Sequence, residues 1–112
     1  MHKVTYTGTV FYTGDRIAAA LLEYAAALAR ADTAATVTVP ALTSAGEAAD
    51  VEVLIGPASQ LASEPFDSIG WAEVEDEATL EELQRLTSDL APRYPSFEPP
   101  FQDDDEAMNL GR

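Results

Sequence analysis

Asp15-Arg16-Ile17-Ala18-Ala19-Ala20-Leu21-Leu22-Glu23-Tyr24-Ala25-Ala26-Ala27-Leu28-Ala29-Arg30-Ala31 is the stretch on which the fold turns. Ala and Leu are strong helix formers and neither Pro nor Gly interrupts the run, so residues 15–31 read as a helix. Arg16, Glu23 and Arg30 recur at one spacing and line a single narrow stripe, leaving Ile17, Ala18, Leu21, Leu22, Tyr24, Ala25, Leu28 and Ala29 around most of the circumference. A sheet covers one side of such a helix, so either a second element or a second subunit covers the other, or the small Ala side chains of that flank face water at little cost. If it is a subunit, Ala18, Leu22, Ala25 and Ala29 form the dimer surface, and a homodimer is the expected self-association.

Upstream, residues 3–13 read as one strand. Val4, Tyr6, Val10 and Tyr12 alternate with Thr5, Thr7 and Thr9, with Phe11 as an exception and Gly8 marking a bulge or a close backbone approach. Thr13-Gly14-Asp15 supplies a turn, with Asp15 as the expected N-cap. Downstream, residues 35–42 and 51–56 read as two strands joined by a polar, Gly-containing connection. Pro40 cannot donate to a ladder, which places the first of these strands at an edge or a bulge. Residues 57–68 read as a loop and 69–74 as a short strand. A second helix is expected from about Thr79 to Leu90, opened by the capping box Thr79-Leu80-Glu81-Glu82 and buried along Leu80, Leu83, Leu86 and Leu90, with Arg85 pairing Glu81 or Glu82.

This order predicts a small α+β domain over residues 1–91, β-α-β-β-(β)-α, with a three- to four-stranded mixed sheet and helices mainly on one face. A right-handed crossover through residues 15–31 would make the flanking strands parallel. Four of the seven prolines follow Ala91, so residues 92–112 read as an extended Pro/aromatic arm and acidic tail, partly disordered.

Composition narrows the function classes. The chain has 112 residues, enough for one domain, and 46% of them are hydrophobic, within the globular range. With no Cys and one His, thiolate and multi-His metal sites are excluded, and no metal, cofactor or catalytic residue is expected. No run approaches the roughly 18 apolar residues of a membrane span, and the N-terminus lacks the pattern of a secretory signal, so a cytoplasmic location is expected. The net charge is −14, which repels phosphate and argues against direct nucleic-acid or membrane binding. That charge is uneven: residues 1–40 balance to zero, whereas residues 41–91 carry −11 and residues 92–112 carry −3.

Three candidate regions follow. Glu73, Glu75, Asp76, Glu77, Glu81 and Glu82 crowd the second helix start, either as a surface for a basic protein partner or as a solvated face favoured by the helix dipole. Tyr94, Phe97 and Phe101 lie among prolines on a stiff strip, suited to an aromatic-lined groove or to an arm packed on the domain or a sister subunit. The corner Tyr12-Thr13-Gly14-Asp15-Arg16 and the loop Gly56-Pro57-Ala58-Ser59-Gln60 together would serve a small-molecule-binding or minor enzymatic domain. Ser59 has no His nearby to activate it, and the loop reads first as a structural turn. His2 reads as an unordered terminal residue. The leading expectation is a non-catalytic interaction module, a homodimer that binds a basic protein partner.

Overall fold

The structure, a computed structural model, describes residues 1–67 and 69–91. The expected arm and tail, with Tyr94, Phe97 and Phe101, lie outside the described residues. Seven elements follow in chain order: β1 (His2–Tyr6), β2 (Thr9–Thr13), α1 (Asp15–Arg30), β3 (Ala35–Leu42), β4 (Ala48–Ile55), β5 (Leu61–Pro65) and α2 (Glu77–Leu90). The α+β class holds, with five strands in place of three or four.

The strand expected over 3–13 is a hairpin. Thr7 and Gly8 adopt φ of 42° and 83°, successive left-handed residues that close a tight turn with the twist an antiparallel pair needs. The turn changes the phase of the alternation: Val4 pairs with Phe11, and both are buried, while Val10 and Tyr12 go to the opposite face. Phe11, out of phase in a single strand, is in phase in a hairpin.

The sheet order is β4-β3-β2-β1-β5, and every registered pairing is antiparallel, so the sheet is not mixed. The parallel ladder expected across α1 is replaced by one antiparallel bridge between β2 and β3, Tyr12 with Leu42. The register accounts for its brevity: with Tyr12 opposite Leu42, only Tyr12 and Thr13 of β2 lie alongside β3 before α1 begins, and past the end of β2 comes Pro40. It stands in an interior strand, not at an edge, and brings no N–H to a ladder; the Thr13 hydroxyl donates to its carbonyl at 2.8 Å instead. Residues 61–65, expected as loop, form β5 along the free side of β1. Residues 69–74, expected as a strand, form none. Trp71 packs instead against Tyr12 and Phe66 on the face opposite the helices, with ring centroids 5.3 and 5.5 Å away. Its indole lies over Gly46, where a Cβ would come within 2.9 Å of Nε1.

Both helices cover the other face. Ile17, Leu21, Tyr24 and Leu28 of α1 and Leu80 and Leu83 of α2 share one core with Val4, Phe11, Val37, Val39, Val53 and Ile55. The second covering element that α1 requires is therefore α2. Arg16 meets Glu77 at one end of the helix pair, and Ala27 and Arg30 share a groove with Thr87 and Leu90 at the other. The helices thus run parallel, and the positive ends of their dipoles lie side by side.

Candidate functional site

At the paired helix starts, α1 has Gly14 as N-cap, with no side-chain cap of its own; Asp15 is the first helical residue, not the cap. The missing acceptor comes from far along the chain: Glu73 Oε2 accepts from the Asp15 backbone N–H at 2.7 Å. Gly14 permits this approach because a Cβ there would collide with the Val74 carbonyl. The other oxygen of the same carboxylate, Oε1, lies 2.9 Å from the Met1 α-amino nitrogen, which also lies 2.9 Å from Asp15 Oδ1. His2, ordered in β1, places Nδ1 2.6 Å from Asp15 Oδ1. At α2, Asp76 Oδ1 accepts from the Thr79 N–H at 3.1 Å, so the helix opens two residues before the expected capping box.

The electrostatics follow from these contacts. Hydrogen bonding to Asp15 and then Glu73 raises the pKa of the Met1 amino group above its ordinary value. The amino group, then His2, holds the Asp15 carboxyl below its usual range. The Asp15 backbone N–H, then the amino group, does the same for Glu73. Along α2, Arg85 bonds Glu82 at 2.8 Å and Asp89 at 3.2 Å, with Glu82 the main cause of its raised pKa.

Four of the six acidic residues singled out from the sequence thus have partners in their own chain: Glu73, Asp76, Glu77 and Glu82. Glu75 and Glu81 are exposed and make no side-chain hydrogen bond or ion pair among the described residues. The cavity beneath this collar, lined by Arg16, Ile17, Val74, Asp76 and Leu80, holds about 40 Å³, room for roughly one water. Among the described residues no three His, Asp or Glu side chains form a metal site.

The structure does not bring the other sequence candidates together. Tyr12 pairs with Lys3 near one end of the β1–β2 hairpin, whereas Gly56 and Ser59 share a cleft with Tyr6 and Thr7 at its turn. The Ser59 hydroxyl accepts from the Gly56 N–H at 2.9 Å, closing a local turn. Of the expected dimer surface, Ala18 is buried in the core, Leu22 and Ala25 are half-buried, and Ala29 is exposed.

A second acidic region lies on the β3–β4 hairpin. Glu47, Asp50 and Glu52 are exposed, and their carboxylates make no hydrogen bond or ion pair among the described residues. β4 is an edge strand, paired with β3 on one side. Val51 and Val53 face the core while Asp50 and Glu52 share the opposite face, an alternation legible in the sequence; the edge position, which depends on strand order, was not. Glu64, on the other edge strand, instead stands opposite Lys3.

Comparisons with protein-family models, curated proteins and solved structures find no match for the chain. No helix among the described residues is long and apolar enough to cross a membrane.

Proposed function

We propose that this protein is a non-catalytic, cytoplasmic interaction module that binds a basic protein partner. The observation that supports this reading is the hairpin run Glu47, Asp50 and Glu52, exposed carboxylates with no counter-charge contact among the described residues. Carboxylates left in this way give a surface whose attraction for Lys and Arg is long-ranged and salt-dependent. The collar contributes less, because most of its charge is engaged within the chain. Self-association, the other part of the reading, falls to the outer flank of α1, where Leu22 is half-buried and Ala19, Ala26 and Ala29 are exposed.

The test is capture of partners from native lysate by the full chain at about 50 mM salt, followed by rebinding of each purified partner. A basic protein whose affinity falls at least about tenfold by 300 mM salt is the expected result. Recovery of no basic protein at low salt contradicts the reading. Size-exclusion chromatography with light scattering reads the self-association, and a clean monomer at tens of micromolar removes that part.

A further inference from the structure

We propose that the free edge of β4 is a docking strand for an extended peptide segment that carries Lys or Arg at alternate positions with an apolar residue between them. This rests on the basic-partner reading and names its site and its mode of binding.

The backbone supplies the first observation. Thr43 N–H donates to the Glu47 carbonyl at 2.9 Å, which makes that pair a hydrogen-bonded one. The register then runs from Leu42 with Ala48 to Ala35 with Ile55. Bonded and non-bonded pairs alternate along an antiparallel ladder. Ala49, Val51 and Val53 therefore turn their N–H and C=O groups toward β3, and Ala48, Asp50 and Glu52 turn theirs outward. Pro40 fits this phase: it stands opposite Asp50, where no donor toward β4 is called for. The open run ends at Glu52, because the carbonyl of the next outward residue, Leu54, accepts from the Tyr6 hydroxyl.

The second observation is charge. The residues that offer outward backbone groups, Asp50 and Glu52, also carry exposed carboxylates on one face of the strand. Side chains of an added strand lie beside those of its neighbour on each face, so the segment's residues beside Asp50 and Glu52 are two apart and basic. The residue between them lies beside half-buried Val51, on the helix-covered side, and is apolar. A second copy of this chain is a poor occupant. Two β4 edges paired antiparallel set Asp50 and Glu52 of one copy against the same residues of the other, and like charges directly opposite destabilise a pair. The same carboxylates thus guard the edge against self-pairing and admit a basic strand.

The test is an NMR titration of the isotopically labelled full chain with two acetylated, amidated peptides of one composition, Ser-Lys-Val-Lys-Thr-Ser and Ser-Val-Lys-Lys-Thr-Ser. The expected result is that the alternating peptide shifts the amides of Ala48 to Glu52 and binds at least about tenfold more tightly than its isomer. D50N/E52Q, which is exposed and isosteric, should abolish the difference between the two peptides. Equal binding of the isomers, or shifts confined to Glu75 to Glu82, overturns the docking strand while leaving a basic partner in place. Shifts with neither peptide, together with no binding of poly-lysine, overturn both.

Discussion

At the helix starts Glu73, Asp76 and Glu77 each meet a donor within their own chain, whereas Glu47, Asp50 and Glu52 on the β3–β4 hairpin meet none among the described residues. The difference comes from the backbone beneath them. A helix start offers N–H groups that have no partner in the helix, and two parallel helices place two such starts together, so Glu73, Asp76 and Glu77 there satisfy the fold, whereas Glu75 and Glu81 stay exposed without a contact among the described residues. An edge strand also offers unpaired backbone groups, but they point away from the molecule, and Asp50 and Glu52 beside them meet no donor among the described residues. Net charge alone therefore does not locate a binding surface.

The largest effect is expected at Gly14. Gly14→Ala drives a methyl group into the Val74 carbonyl, and its loss is expected to be about 3 kcal/mol in urea unfolding. A neutral result would mean that the Glu73 segment does not hold the start of α1. Gly46→Ala is the matching change on the hairpin. There a Cβ meets the Trp71 indole and the backbone has φ of 81°, and about 1–2 kcal/mol is expected, with a change in Trp fluorescence.

Glu73→Ala removes the α1 cap and one partner of the Met1 amino group, for an expected loss of about 1 kcal/mol. Its pH profile reports the ion pairing. Asp15 and Glu73 have folded pKa values below their unfolded ones, so their contribution is complete above the ordinary carboxylate range, near pH 4, and lost as pH falls through the lowered values. The Met1 amino group has a raised pKa, so its contribution is complete below about pH 8 and lost as pH rises through the raised value. The stability that Glu73→Ala removes should therefore be greatest between about pH 5 and pH 7. A pH-independent difference between variant and parent would contradict the ion pairing. The smallest effect is expected on the hairpin, where Asp50→Asn with Glu52→Gln should shift stability by less than about 0.5 kcal/mol.

Local patterns carried much of this fold. Helix 15–31 ends within one residue of α1, because uninterrupted Ala and Leu leave no competing structure. The Leu stripe of α2 is there as read, with Leu80 and Leu83 in the core. The hairpin within 3–13 is hard to read from the sequence because Thr7-Gly8 is a weaker turn signal than Asn-Gly, although Phe11 breaks the alternation. β5, Leu-Ala-Ser-Glu-Pro, is short, polar and ends in Pro, and pairing with β1 rather than propensity makes it a strand. The capping of α1 joins positions 58 residues apart, and no local pattern contains that information. For the same reason the acidic run at α2 is conspicuous in the sequence, while the place of Asp50 and Glu52 on a sheet edge is not, because it depends on strand order.

The carboxylates of the hairpin, and not those of the helix starts, are the ones proposed to face a partner. The most direct measurement is calorimetric affinity for the alternating-lysine peptide across two variants that remove equal charge, Asp50→Asn with Glu52→Gln and Glu75→Gln with Glu81→Gln. Binding should weaken at least about tenfold in the first and less than about twofold in the second. Equal losses, or a larger loss in the second, would contradict the claim.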